Sequence, residues 1–164
     1  MVAALGLESI VHLTGQMRYE DLGALFLASD VFVLPTLEDV WGMVVLEAMA
    51  CGKPILCSQY AGAKELVEHG VNGYVFDPRS PGELADCMAR FVQRPELIAE
   101  FGQKSKEIIA PYTPACAAKV LKSLVLRLLG SSARELALEE LPAGESLSGP
   151  SSGQVLERSA RAKP

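Results

Sequence analysis

The residues best equipped for chemistry lie between Leu34 and Pro54, where Glu38, Asp39, a Trp41-Gly42 pair and Glu47 follow one another closely. Glu38 and Asp39 fall in a loop, and Gly42 leads into a helix of about ten residues. The first amides of a helix have no intrahelical acceptor, so the N–H groups near Gly42, Met43 and Val44 point outward and suit a phosphate. Gly42 adds no side chain to obstruct an approaching ligand. Glu47 lies inside the helix with Met43, Val44, Ala50 and Cys51, all apolar, as neighbours. An ionised carboxylate placed among them needs partners, and the hydroxyls of a ribose would supply them. A solvent-facing glutamate on one stripe of the helix is the other reading of the same residue.

Four apolar, β-rich runs frame this stretch: Ile10 to Leu13, Val31 to Leu34, Ile55 to Cys57, and Tyr74 to Phe76. The intervals between them carry helical spacing, as in Leu22, Leu25, Phe26 and Ser29. This βαβα cadence predicts a parallel sheet, and runs without alternation predict strands covered by helices on both faces. The fold class expected is therefore α/β, a Rossmann-like parallel sheet with flanking helices. Ser80, Pro81 and Glu83 read as a capping box that opens a helix to about Val92; Pro95 restarts one to about Ile109, and Thr113-Pro114 begins a third. Leu121, Leu124, Val125 and Leu128 lie on one face of that last helix. Beyond Gly130 the composition turns to Ser, Gly, Pro and mixed charge without an aromatic residue. The expected organisation is a partial domain over residues 1–130 and a disordered C-terminal tail over 131–164.

In a parallel sheet the loops after the strands share one edge, and ligands bind at that carboxyl-terminal edge. Those loops are 14–16, with Gly15, then 35–42, 58–62 and 77–78; they carry polar, glycine and aromatic residues. The loops before the strands look structural: Gly52 and Gly70 each follow a helical stretch and suit a left-handed cap, and His69 reads as a helix-end residue.

Composition narrows the classes. Apolar residues make up 49% of the 164, which supports a core and excludes wholesale disorder. The net charge of −5, with scattered basic residues, gives no nucleic-acid footprint. No apolar run approaches the roughly 20 residues of a membrane helix, and residues 1–6 lack the pattern of a signal peptide. The four cysteines form no CxxC pair and have no matching histidine spacing, so no metal site is expected. Such cysteines fit packing in a reducing cytoplasm.

The segment from Asp39 to Pro54 closely resembles the acid-x7-Glu signature of retaining glycosyltransferases with the GT-B fold, the family-four group. Residues 6–15 resemble that family's strand entering a nucleotide-binding loop, and residues 22–35 its stretch ending in Pro-Thr. Ala61 to Glu65 and Gly70 to Gly73 resemble its Gly-Gly-x-x-Glu and Asn-Gly elements. The resemblance covers residues 5–129 and implies transfer of a sugar from a UDP- or GDP-sugar to an acceptor hydroxyl with retention. It implies Glu47 on the ribose hydroxyls, the first signature acid on the donor sugar, and backbone amides of Trp41, Gly42, Met43 and Val44 on sugar and diphosphate. Residues 11–15 would lie near the base. The register gives Asp39 as the first acid, with Glu38 beside it as the alternative. No metal or other cofactor is implied.

The family uses two facing domains, and the resemblance covers only the later part of the second. The expectation is a donor-binding part, inactive alone, completed by an N-terminal domain from a longer protein or another chain. The alternatives are a non-catalytic nucleotide-sugar-binding module and a truncated remnant. Expected partners are the nucleotide-sugar donor and an acceptor glycan, lipid or small molecule, with no nucleic acid and only peripheral membrane contact.

Overall fold

The computed structural model describes residues 1–129, and the expected tail at 131–164 lies outside the described residues. The chain divides into two units, Met1–Cys116 and Ala117–Pro164. The first contains α1 (Tyr19–Ala28), β1 (Phe32–Leu34), α2 (Met43–Ala50), β2 (Ile55–Ser58), β3 (Gly73–Phe76), α3 (Pro81–Gln93) and α4 (Glu96–Ile109). Short 3-10 helices occupy Ala3–Leu5 and Gly62–Leu66. A final helix, α5, spans Pro114–Leu129.

The three strands are parallel in the order β1-β2-β3, with Phe32 beside Ile55 and Ile55 beside Gly73. Every residue of β2 is buried, and its side chains divide between two cores. Ile55 and Cys57 join Phe26, Val45, Ala48, Met49, Ala63 and Leu66. Leu56 joins Tyr74, Phe76, Cys87, Phe91, Leu97 and Phe101. Successive strand residues point to opposite faces, so two buried clusters require helices on both sides, as the unbroken apolar runs predicted.

The caps follow the sequence closely. Ser80 Oγ accepts from the Glu83 N–H at 3.4 Å with Pro81 in the first turn of α3. Glu83 reaches past the cap, its Oε2 accepting from the Asp77 N–H at 3.2 Å. Thr113 Oγ1 likewise accepts from the Cys116 N–H at 3.2 Å as α5 begins. At the end of α2, Gly52 adopts φ 71°, the left-handed cap expected. α4 lies directly on that cap: Ser105 Oγ donates to the Lys53 carbonyl at 2.7 Å, and Gly102 faces the Gly52 carbonyl. The Lys53 ammonium donates to the Ser29 carbonyl at 2.7 Å and the Leu27 carbonyl at 3.2 Å, which satisfies the end of α1.

Two expectations are corrected. Residues Ile10 to Leu13 form no strand. The N–H groups of Ile10 and Val11 turn back onto the Leu7 carbonyl, and Ile10 and Leu13 are exposed. A short apolar run becomes a strand only through a neighbour's ladder, and among the described residues no strand lies beside this one. His69 does not end a helix either. The helical stretch before it is one 3-10 turn, Gly62–Leu66, and Asn72 closes the loop beyond that turn. Its Oδ1 accepts from the Glu68 N–H at 2.7 Å and its amide donates to the Leu66 carbonyl at 3.1 Å. His69 packs edge-on against Tyr74 at 5.0 Å.

A Cβ at Gly102 would collide with the Gly52 carbonyl, whereas one at Gly82 would meet open space. Gly102→Ala is therefore expected to lower unfolding free energy by about 1–3 kcal/mol. Gly82→Ala should stay within about 1 kcal/mol of the parent in the same denaturant titration.

Candidate active site

The loops after β1 and β2 are joined by backbone. Asp39 pairs in parallel with Ala61: the Asp39 N–H donates to the Tyr60 carbonyl at 3.3 Å, and the Gly62 N–H donates to the Asp39 carbonyl at 3.1 Å. The Ala63 N–H then donates to the Trp41 carbonyl. Gly62 sits so close to the Val40 carbonyl that no Cβ fits between them. The loop after β3 joins the same edge through the Gln59 N–H, which donates to the Phe76 carbonyl at 2.9 Å.

Within the first loop, Thr36 Oγ1 donates to the Glu38 carbonyl at 2.7 Å and accepts from the Glu38 N–H at 3.2 Å. Glu38 itself is exposed, whereas Asp39 is half-buried. Asp39 Oδ1 accepts from the Trp41 N–H at 3.0 Å, an Asx turn that aims the chain into α2. Gly42 caps α2 at φ 86°, a conformation that favours glycine. The sequence explained Gly42 by ligand access. In the fold it is buried, and a Cβ there would meet Leu34 Cδ2 at 3.2 Å, so backbone conformation and packing already demand glycine. The first-turn amides of α2 remain without intrahelical acceptors and lie at the carboxyl edge of the sheet.

α2 buries Val45, Ala48 and Met49, which leaves Met43 exposed and Val44 and Glu47 half-buried. Glu47 lines a groove of about 270 Å³ between α1 and α2, together with Tyr19, Gly23, Phe26 and Cys51. The Tyr19 hydroxyl donates to Glu47 Oε1 at 3.4 Å. Met43 and Glu47, four residues apart, share one face of the helix. The sequence reading did not mark Tyr19; its place at the start of α1, one turn before Leu22, was the available signal.

The structure thus gathers Glu38, Asp39, Trp41, Gly42, Met43 and Val44 at one loop-to-helix junction, with Glu47 a turn further along α2. Gly15 is different. It follows no strand, has φ 64° and faces open space where a side chain would stand.

Cys57, at the end of β2 under this junction, is fully buried, and burial pushes its thiol up from an ordinary 9.0 to about 11. The negative charge of Asp39 raises it further and Lys64 opposes. Among the described residues, no helix is long and apolar enough to cross a membrane.

Known proteins resemble this chain in sequence and architecture. The Glycosyl transferases group 1 family profile matches residues 1–108, and the chain belongs to that family. It is 32% identical over 95 residues to the D-inositol 3-phosphate glycosyltransferase of Streptosporangium roseum, a match covering 58% of this chain and 22% of that protein. Among solved structures, Anabaena HepE in complex with UDP superimposes with a TM-score of 0.68 at 31% identity, covering 76% of this chain and 34% of that one. Sucrose-phosphate synthase from Thermosynechococcus elongatus gives a TM-score of 0.68 at 26% identity, covering 78% of this chain and 32% of that one. The α/β fold is that of GT-B glycosyltransferases, and the chain spans about a third or less of the length of these relatives.

The raised Cys57 pKa has two measurable consequences. A thiol whose folded pKa exceeds its unfolded one adds stability in full below pH 9.0, and the contribution disappears as pH climbs through about 11. Cys57→Ala should remove that component of the pH dependence, and native protein at pH 8 should leave Cys57 unalkylated by iodoacetamide while exposed thiols react.

Proposed function

We propose that this chain is the donor-binding part of a retaining glycosyltransferase that moves a hexosyl group from a UDP- or GDP-sugar to an acceptor hydroxyl. The observation that carries the reading is the Asp39–Val44 junction, a backbone-fixed loop that delivers the N-terminus of α2 to the carboxyl edge of a parallel sheet. The HepE structures hold UDP or UDP-glucose, which supports a nucleotide-sugar donor here.

In this reading Glu47 accepts hydrogen bonds from the ribose hydroxyls, where Tyr19 already donates to it. Asp39, or Glu38 beside it, contacts the hydroxyls of the donor sugar. The amides of Gly42, Met43 and Val44 meet the diphosphate. Departure of the nucleotide leaves negative charge on its terminal phosphate, so donors fixed there stabilise the transition state more than the ground state. Charge stabilisation by the chain needs no metal, and none is proposed. Gly15 would approach the base.

The acceptor, a glycan, lipid or small molecule, would bind against a facing domain. That domain would come from a longer protein or from another chain. A non-catalytic nucleotide-sugar-binding module is the second reading. The four free cysteines fit the cytoplasm, with membrane contact at most peripheral.

Calorimetric titration of the 164-residue chain with UDP and GDP should show binding that Glu47→Gln weakens by about tenfold, the scale of one hydrogen bond to a charged group. Equal affinity in both proteins would remove Glu47 from the ribose. The chain alone should release no free nucleotide from UDP-glucose or GDP-mannose in the presence of acceptors; measured turnover would overturn the assignment of the reaction to a two-domain cleft.

A further inference from the structure

Tyr19 opens α1, and its hydroxyl crosses to α2, 28 residues further along the chain, to donate to Glu47 Oε1 at 3.4 Å. Tyr19 and Gly23, one turn apart, share a face of α1, as Glu47 and Cys51 do on α2; these residues line the groove between the helices together with buried Phe26. At the opposite end the helices are tied by Lys53, which follows α2 and whose ammonium holds the Leu27 and Ser29 carbonyls at the end of α1. Polar contacts therefore join α1 to α2 at both ends of the groove. Among the described residues Tyr19 is the sole hydrogen-bond partner of the Glu47 carboxylate, and no cation lies within 4.0 Å of it. Arg18, next to Tyr19 in sequence, turns instead to Asp21 at 3.0 Å.

The partner of Glu47 is neutral, which decides what else the carboxylate can bind. A lysine or arginine there would hold it more strongly than uncharged hydroxyls do, and an incoming diol would have to displace that cation. A phenol leaves the carboxylate its charge and occupies one of the about four acceptor positions on its two oxygens. It also restricts the terminal torsion of the side chain, which is broad in a glutamate without partners. An acceptor oriented before the ligand arrives loses less freedom on binding. Two adjacent oxygens held in this way match two adjacent hydroxyls, the cis-diol of a ribose. A sugar that lacks one of the pair leaves an oxygen of the half-buried carboxylate without its donor.

We propose that Tyr19 is a positioning residue that fixes the Glu47 carboxylate for a cis-diol, so that the site selects ribonucleotides over 2'-deoxyribonucleotides. The inference rests on the donor reading, which places a ribose on Glu47, and adds to it the residue that orients the acceptor and the sugar that the pair rejects. Tyr19 acts through Glu47, so its contribution exists only while that carboxylate does. Its side chain is 76% exposed and belongs to neither core, so removal of the hydroxyl leaves the packing intact.

Titration calorimetry of the full chain with UDP and 2'-deoxy-UDP tests the role in the parent, Tyr19→Phe, Glu47→Gln and the double variant, with circular dichroism to establish that each is folded. Tyr19→Phe should weaken UDP by about threefold to tenfold, the scale of one hydrogen bond, and 2'-deoxy-UDP by less, so that the preference for the ribonucleotide narrows. In the Glu47→Gln background the same substitution should add little, because the two residues act as a unit. A purely structural role for Tyr19 would weaken both nucleotides equally and would add to the Glu47→Gln loss. Tyr112→Phe, at an exposed tyrosine beyond α4, should leave both affinities unchanged. UDP binding that falls with Glu47→Gln but not with Tyr19→Phe, or an equal loss for the two nucleotides, would overturn the role of Tyr19 and leave the donor reading intact. UDP binding that is indifferent to Glu47→Gln, or absent from the parent, would overturn the donor reading and this inference with it.

Discussion

The contact on which the rest depends is the approach of Gly62 to the Val40 carbonyl, sealed by the parallel pairing of Asp39 with Ala61. It extends the β1-β2 neighbourhood beyond the last ladder residues, Leu34 and Cys57, and converts two loops into one rigid rim. Backbone hydrogen bonds define this rim, so its shape survives changes in the exposed side chains of Val40 and Trp41. A loop fixed in this way can present amides and carboxylates without an ordering cost at the moment of binding.

The two cores hold that rim in place. Val45, Ala48 and Met49 seat α2 on one face of β2, and the aromatic cluster of Tyr74, Phe91 and Phe101 seats α3 and α4 on the other. α4 also locks the far end of α2 through Ser105 and Gly102. With both ends of α2 restrained, its first turn can point only at the carboxyl edge, and Glu47 only toward the groove beside Tyr19. The burial that raises the Cys57 pKa comes from the same packing directly beneath the junction.

Much of this was legible in the residues. β2 reads as a strand covered on both faces because all its residues are apolar or small, and the caps at Ser80 and Thr113 are local chemistry that a short window contains. The junction from Asp39 to Val44 was legible as a loop entering a helix. What escaped depends on neighbours distant in sequence. Ile10 to Leu13 has the composition of a strand, but a strand exists only where another offers its ladder. His69 comes after a stretch of helical spacing, yet the buried Asn72 captures the backbone that would have continued it. Gly42 was legible as glycine, while its reason, the closeness of Leu34 and Ala63, was not. The stacking of Arg79 on Tyr60 joins residues from two different strand ends, and no spacing rule relates them.

In the proposed function the clamped rim, and not the exposed side chains around it, holds the nucleotide. UDP titration of Gly62→Ala tests it most directly, with circular dichroism establishing that the two cores remain folded. The added methyl group must push Val40 and Trp41 away and release the Asp39 loop from Ala61, so UDP binding should fall by at least about tenfold, the loss expected when a positioned site loosens. A folded Gly62→Ala protein that binds UDP as tightly as the parent would contradict the account.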